Sequence, residues 1–118
     1  MAVLSSHLLN SLNGHHAANV KIYIFKINLK GDKNLFFETS TDEGGRILKE
    51  LELTEEDCLC TFEMIIKIGE YFKNESIKIF NKRIVSEIVV RFNMEDPNKK
   101  YHIPIIVSPN SYSIWWSD

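Results

Sequence analysis

The polar side chains best suited to chemistry in this sequence are His7, Arg46 and His102. A neutral imidazole accepts a proton near pH 7 and an imidazolium donates one, while a guanidinium presents a fixed fork of donors to negative charge. Each of these residues taken singly is more often packed or solvated than catalytic, and Arg46 follows two glycines, as at a solvated hairpin end. No spacing within the sequence shows that the three meet, so the residues alone leave their convergence open.

The other candidate groups point to simpler roles. His15 and His16 stand beside Gly14, and we interpret them as a solvated pair in a loop. Cys58 and Cys60 are interpreted as buried, reduced thiols of a core strand, because two thiols without a histidine or a second pair are a weak metal signal. Reduced thiols are typical of a reducing compartment such as the cytoplasm.

The composition is that of one ordinary globular domain. The chain has 118 residues, of which 44% are hydrophobic, and a formal net charge of −2. A chain of this length buries roughly two thirds of its unfolded surface, so we expect a single domain over residues 1–118. The charge balance predicts no nucleic-acid partner and no anionic membrane, and no segment is long enough to span a bilayer. The first residues do not resemble a signal peptide, which again favours a cytoplasmic location.

Hydrophobic residues alternate with a period of two over most of the chain, which predicts β-strands. Both faces of segment 20–28 are apolar, so we expect this strand to be buried by the core on one side and by another subunit on the other. Segment 69–79 lacks alternation and is predicted to form a short helix. Further strands are predicted at 35–39, 58–67, 84–94, 101–108 and 112–116.

Turn residues and prolines indicate how the strands connect. The turn at Asp96-Pro97-Asn98 predicts a hairpin between the strands on either side of it. Pro104 lies within a strand pattern, and because proline cannot donate to a ladder, this strand is predicted to lie at a sheet edge or to turn sharply at Pro109. Short strands with hairpin turns and one helical turn predict an all-β fold, an antiparallel two-sheet β-sandwich.

Five segments, in this order, resemble one protein family over nearly the whole chain. They are SSHLLN at 5–10, AANVKIY at 17–23, TDEGGR at 41–46, GEYF at 69–72 and DPNKKYHIPIIVSPNSYS at 96–113. Each motif is weak by itself, but together they resemble the transthyretin family, and specifically its 5-hydroxyisourate hydrolase branch.

The resemblance implies a fold, an assembly and a reaction. The fold is a β-sandwich of about eight strands with one short helix, and the assembly is a homotetramer, a dimer of dimers whose central channel holds the sites. The reaction is the hydrolytic opening of the cyclic amide of 5-hydroxyisourate, in urate degradation, without a cofactor or a metal. The hydrolase branch carries histidine, arginine and histidine at the positions of His7, Arg46 and His102, so these are the implied catalytic residues. Which histidine activates water is left open.

The last four residues depart from the family pattern. Hydrolases of this family typically end in Tyr-Arg-Gly-Ser along the channel, where this chain has Trp115, Trp116, Ser117 and Asp118. Trp115 and Asp118 are the predicted substrate-binding residues, because an indole can stack on a flat heterocycle and a carboxylate can orient a histidine or pair with Arg46. The altered tail supports two alternatives. One is a homotetrameric, transthyretin-like ligand-binding protein with lost or altered hydrolase activity, and the other is an amidohydrolase acting on another cyclic ureide.

Overall fold

Eight strands and one short helix form the part of the chain that the computed structural model describes, residues 1–74 and 84–116. The strands are β1 (Ala2–Asn10), β2 (Lys21–Ile27), β3 (Lys33–Ser40), β4 (Arg46–Leu51), β5 (Thr61–Ile66), β6 (Ile88–Phe92), β7 (Lys100–Val107) and β8 (Tyr112–Ile114). Helix α1 covers Ile68–Asn74, and a 3-10 turn covers Asp57–Leu59. The predicted all-β fold with a short helix is confirmed, and the part of the predicted helix at 75–79 lies outside the described residues.

The strands form two four-stranded sheets. Sheet I has the order β4-β1-β7-β8, and sheet II has the order β3-β2-β5-β6. Neighbouring strands are antiparallel, as predicted, with the exception of β1 and β7, which are parallel. This pair differs from the prediction because β1 and β7 come from opposite ends of the chain. No hairpin joins them, so nothing forces them to run in opposite directions.

Strand β1 buries alternate side chains, yet the periodicity of the sequence does not reveal it. Its inward positions include Ser6 and Asn10, which are buried as completely as Leu4 and Leu8 on the same face. The Ser6 hydroxyl donates to the Ile103 carbonyl, and Asn10 Nδ2 donates to the Tyr71 hydroxyl at 3.1 Å. Because hydrogen bonds satisfy these polar groups, polar residues occupy core positions and the hydrophobic alternation is lost.

The turn at Asp96-Pro97-Asn98 does not close a hairpin, and that prediction is wrong. Strand β6 belongs to sheet II and β7 to sheet I, so residues 93–99 carry the chain from one layer to the other. The backbone N–H of Asp96 donates to the Tyr101 hydroxyl at 2.8 Å, and this hydroxyl donates to the Asp96 carbonyl. These bonds hold the segment in which the chain crosses between the sheets. In a hairpin, β6 and β7 would instead have paired with each other.

Pro104 lies in an internal strand, because β7 has β1 on one side and β8 on the other. The Pro104 carbonyl accepts from the Trp115 amide at 3.4 Å, beyond the end of β8 at Ile114. A residue's N–H and C=O point to the same side of a strand, so the N–H that Pro104 lacks would face β8. Strand β8 ends at Ile114, before this position, so the missing donor interrupts no ladder of hydrogen bonds. Of the two alternatives for this strand, the sharp turn at Pro109 is the one observed, with Ser108 N donating to Ser111 O at 2.9 Å.

The two cysteines do not lie in a strand. Cys58 is part of the 3-10 turn, and Cys60 is the residue that follows it and is buried. Asp57 holds this turn, because its Oδ2 accepts from the Thr54 amide at 3.0 Å and its Oδ1 pairs with Lys26 Nζ at 2.8 Å. Of the strand predicted at 58–67, the structure therefore forms only the second part, which is β5. Both thiols are free, but only Cys60 is buried; Cys58 is partly exposed, so the predicted burial is wrong for Cys58.

On the outward face of sheet II, a buried carboxylate pairs with two cationic side chains. Glu63 on β5 is 3% exposed, and its two oxygens pair with Lys33 Nζ at 2.6 Å and Arg91 Nε at 3.0 Å. The hydrogen bond from Lys33, more than the one from Arg91, lowers the pKa of Glu63 in spite of its burial. Glu63 is therefore ionised in the fold and depends on these partners.

Replacing Lys33 with methionine should lower the free energy of unfolding at pH 7 by about 1–2 kcal/mol, less than for a fully buried pair because Lys33 is partly exposed. The lowered pKa of Glu63 contributes stability above its unfolded pKa, and this contribution is lost as pH falls through the folded pKa. Urea unfolding at pH 7 and pH 4 should therefore show a smaller difference between the two proteins at pH 4. Lys30→Met, in the exposed β2–β3 turn, is the control. An equal loss in the two lysine variants would refute the role of Glu63.

Candidate active site

The outward face of sheet I brings together the three residues that the resemblance implies. His7 on β1 lies opposite Arg46 on β4 and opposite Pro104 on β7. Ser5, two residues earlier on β1, lies opposite His102 on β7. Residues directly opposite each other, and residues two apart on one strand, share a face of the sheet. His7, Arg46 and His102 therefore lie on one face, from three adjacent strands.

Asp42 shapes the turn that delivers Arg46. Its Oδ1 accepts from the backbone N–H of Gly44 and of Arg46, each at 2.9 Å. Its own amide donates to the Arg46 carbonyl at 2.9 Å, which closes the turn at the first residue of β4. Thr41, buried beneath, donates from Oγ1 to the Ala17 carbonyl at 2.7 Å. These bonds tie the turn to the loop before β2, so the position of Arg46 is set by two segments of the chain.

Gly45 allows that turn to approach β1 closely. Its φ is +72°, and a Cβ there would lie 2.5 Å from the Leu8 carbonyl oxygen and 3.2 Å from the Cβ of His16. Its carbonyl accepts from the Leu8 amide at 2.8 Å. Only glycine fits this conformation and this contact without strain. The close approach places the backbone of residues 44 and 45 against the part of β1 that carries His7.

His16 is exposed, in the loop between β1 and β2, as predicted, but its ring also contacts that of His7. It forms an antiparallel bridge with Leu9, flanked by hydrogen bonds from Asn10 N to His15 O and from Ala17 N to Leu8 O. This pairing extends the edge of β1 beyond the end of β4 and turns the His16 ring toward His7. His7 Nε2 and His16 Nδ1 lie 2.9 Å apart, with ring centroids at 5.0 Å.

The environment of His7 favours its neutral form. Burial is the largest cause that lowers its pKa, followed by the nearby charges of Arg46, His16 and His102. A hydrogen bond with the Gly44 backbone opposes the shift without reversing it. His7 is therefore a neutral imidazole at pH 7, able to accept a proton.

His102 is oriented by a serine on the neighbouring strand. Its Nδ1 lies 2.8 Å from Ser5 Oγ, and the two residues are directly opposite each other in the parallel pair of β1 and β7. With Nδ1 engaged by Ser5, Nε2 is the nitrogen left for a ligand. Ser5 and His102 line a cavity of about 620 Å³ on the outward face of sheet I, with Leu48 and Lys100 in the same wall.

The tail lies against a different cavity. Trp115 and Trp116 line a space of about 610 Å³ between the two sheets, together with Phe92, Tyr101 and Ile103. Both indoles are about half exposed, and Lys99 Nζ lies 4.7 Å from the centre of the Trp116 ring. The structure thus places Trp115 at the open edge of the sandwich and not in the wall that holds Ser5 and His102.

Asp118, like Ser117, lies outside the described residues, so its predicted contact with substrate stays a prediction.

Over residues 1–74 and 84–116, no three histidine, cysteine, aspartate or glutamate side chains are arranged to hold a metal ion. The same residues contain no helix long and apolar enough to cross a membrane.

Sequence reasoning overlooked Ser5 and His16 as members of this site. Ser5 lies next to His102 only because β1 and β7 pair across nearly the full length of the chain, in a register that no local pattern encodes. The only sequence signal for His16 was its position nine residues after His7. Its bridge to Leu9 was hidden by the glycine turn beside it.

A model of the HIUase/transthyretin family matches residues 4–116 of the chain. A 5-hydroxyisourate hydrolase of Halalkalibacterium halodurans is 29% identical, over 95% of this chain and 94% of that protein. A probable 5-hydroxyisourate hydrolase of Schizosaccharomyces pombe is 30% identical, over 95% of this chain and 88% of that protein. Among solved structures, an (S)-allantoin synthase superposes with a TM-score of 0.84 and 27% identity over 99% of this chain. The chain spans only 44% of that longer protein.

Proposed function

The chain belongs to the HIUase/transthyretin family, and on that premise we propose that it is a 5-hydroxyisourate hydrolase. The observation that carries the proposal is the meeting of His7, Arg46 and His102 on one face of sheet I. Two imidazoles and a guanidinium are the groups that hydrolysis of a cyclic amide needs at neutral pH. The names of the two relatives favour the same substrate.

The geometry suggests how the two histidines divide the work. His7, whose lowered pKa keeps it neutral, takes a proton from water as the oxygen attacks the amide carbon. Arg46, directly opposite His7, offers donors to the negative charge that develops on the carbonyl oxygen. His102, held through Nδ1 by Ser5, gives a proton from Nε2 to the leaving nitrogen as the carbon–nitrogen bond breaks. The product is a single ring-opened molecule that carries both a carboxylic acid and a ureide group.

The test of this proposal is the decay of freshly generated 5-hydroxyisourate, followed by ultraviolet absorbance. We expect decay to accelerate in proportion to protein concentration. If the protein leaves the spontaneous rate unchanged, it is not a 5-hydroxyisourate hydrolase. A panel of other cyclic ureides, measured under the same conditions, separates this activity from that of an amidohydrolase with a different substrate.

The pH dependence of catalysis should report the protonation of His7. Because protonation removes the base, kcat/KM falls on the acid side, and the lowered pKa of His7 places that limb below pH 6.5. The rate therefore approaches its plateau before pH 7. Profiles of kcat/KM between pH 5 and 8 test this expectation. An acid limb centred above pH 6.5, in a protein that retains its fold across the range, would contradict the assignment of His7.

We also propose that the protein assembles as a homotetramer, a dimer of dimers. The outward face of sheet I carries Leu48, 69% exposed in the single chain, beside the wall that holds His102. Covering such an apolar side chain would favour association. Light scattering on the purified protein should give four times the mass of one chain, whereas a monomer mass would exclude the assembly.

A ligand-binding role is the second candidate, favoured by the cavity that Trp115 and Trp116 line between the sheets. Its apolar walls and two indoles suit a flat aromatic ligand. Quenching of tryptophan fluorescence by such compounds, lost in Trp116→Ala, would support it. A contact of Trp115 with 5-hydroxyisourate remains a separate prediction, because this indole lines a cavity other than that of His102.

A further inference from the structure

The cavity that Ser5 and His102 line extends beyond the groups that the proposed reaction uses. Its wall continues past these two residues to three charged side chains, Glu50, Lys99 and Lys100. Its volume of about 620 Å³ lies within the range of cavities that bind small molecules, roughly 300–1,000 Å³. A ligand whose reacting bond lies at His102 therefore has room for a further part, and the charged end of the cavity would contact that part.

The register of sheet I shows where the further part would lie. Val3 on β1 is opposite Glu50 on β4 and opposite Lys100 on β7. This row of residues is two positions along the strands from the row that holds Ser5 and His102, so the two rows share the outward face. At roughly 3.3 Å per residue, the Cα atoms of Lys100 and His102 are about 7 Å apart along β7.

Of the charged side chains at this end of the cavity, Lys100 is the one suited to bind an oxygen of a ligand. It is exposed, and among the residues that the structure describes no carboxylate lies within salt-bridge distance of its ammonium group. Lys99, in contrast, has its Nζ 4.7 Å from the centre of the Trp116 ring. Lys100 therefore presents three N–H donors and a positive charge to the cavity that His102 also lines.

We propose that Lys100 is a substrate-binding residue that selects for a second ring in the substrate. A bicyclic ureide such as 5-hydroxyisourate carries a carbonyl oxygen in the ring that is not opened, away from the bond that breaks. The ammonium group of Lys100 donates to this oxygen while the reacting amide lies at His102. A single-ring ureide cannot reach both residues. The identity of the substrate rests on the proposed hydrolase function, whereas the binding of a bicyclic ureide at Lys100 does not.

The contact with Lys100 should affect binding and not the chemical step. The oxygen that Lys100 contacts belongs to a part of the substrate that the reaction leaves unchanged. The contact is therefore equally strong with the substrate and with the transition state, so its loss raises KM and leaves kcat unchanged.

Four variants separate this contact from a general effect of charge. Lys100→Met keeps the length of the side chain and removes the ammonium group, and Lys100→Arg keeps a positive donor. Lys30→Met removes an equal charge from the exposed turn between β2 and β3, on the other sheet. Glu50→Gln removes the negative charge from the opposite wall of the same cavity.

We expect Lys100→Met to raise KM for 5-hydroxyisourate about five- to tenfold and to change kcat less than twofold, as for the loss of one hydrogen bond from a charged donor. Lys100→Arg should keep KM within threefold of the wild type, and neither Lys30→Met nor Glu50→Gln should raise it. If Lys100→Met leaves KM unchanged, or lowers kcat instead, the inference is wrong. It is also wrong if Glu50→Gln raises KM equally, because Lys100 would then serve only to pair with Glu50.

Light scattering on the same variants guards against an indirect effect through assembly. Lys100→Met should have the same mass in solution as the wild type. A smaller mass would assign Lys100 to a contact between subunits and overturn its role in binding substrate.

Binding of urate, a stable bicyclic ureide, tests the contact without turnover. Calorimetry should give a Kd for urate about five- to tenfold higher in Lys100→Met than in the wild type. Hydantoin, which has a single ring, should show no difference between the two proteins. Equal affinity of the two proteins for urate, or no binding of urate to the wild type, overturns the inference. Binding of urate that depends on Lys100, in a protein that leaves the decay of 5-hydroxyisourate at the spontaneous rate, would overturn the proposed function and leave this inference standing.

Discussion

Replacing Arg46 with methionine lowers kcat/KM for 5-hydroxyisourate by about 10²- to 10³-fold, the effect expected when a donor to a developing oxyanion is removed. Arg46 lies directly opposite His7, so its guanidinium shares the face on which the water attacks. Its positive charge also contributes to the lowered pKa of His7. The variant should therefore show an acid limb at higher pH in addition to the lower plateau.

Two further variants define what Arg46 contributes. Arg46→Lys keeps the charge but loses the planar fork of donors, so its kcat/KM should lie between those of the wild type and Arg46→Met. Lys30→Met removes a positive charge from the exposed turn between β2 and β3, on the other sheet, and should leave kcat/KM unchanged. If Arg46→Met retains kcat/KM within threefold of the wild type, Arg46 does not stabilise the transition state.

Replacing Gly45 with alanine lowers both stability and activity. The substitution places a side chain at φ +72° and a Cβ within 2.5 Å of the Leu8 carbonyl oxygen, which cannot move without breaking the edge of β1. Strain of this kind costs about 1–3 kcal/mol, and the backbone clash places the expected loss in unfolding free energy at the upper end. The remaining folded protein should also have a lower kcat, because the turn carries Arg46 and contacts His16.

Gly14→Ala is the matched control for this prediction. Gly14 has nearly the same backbone conformation, with φ +71°, but a Cβ there would meet no atom within 4 Å. It should cost about 1 kcal/mol from strain alone and leave kcat unchanged. Urea unfolding and the absorbance assay measure the two effects. Equal losses in the two alanine variants would show that the close approach of Gly45 to β1 is unimportant.

Local pattern predicted those strands whose inward residues are apolar. Segment 20–28 contains β2, and 101–108 contains all of β7 except its first residue, Lys100, because isoleucines and valines mark their buried faces. Strands β1 and β4 gave no such pattern, since Ser6 and Asn10 lie inward on β1 and charged residues crowd β4. These two strands carry His7 and Arg46, so periodicity overlooked two of the three strands that position the site.

Pairing between distant segments accounts for what the sequence could not show. The parallel register of β1 and β7 sets Ser5 against His102, and it depends on the packing of the whole sandwich and not on any turn. The same holds for His16, whose bridge to Leu9 forms where β4 ends and a second segment takes over the edge of β1. The family resemblance identified His7, Arg46 and His102 as members of one site, and it gave no sign of the histidine pair.

The central claim is that His7, Arg46 and His102 hydrolyse 5-hydroxyisourate together. The most direct measurement is the decay of fresh 5-hydroxyisourate with wild-type protein and with a variant that carries His7→Gln, Arg46→Gln and His102→Gln. We predict decay well above the spontaneous rate for the wild type and a rate close to that of buffer for the folded variant. Decay at the buffer rate with both proteins, or equal acceleration by both, would contradict the claim.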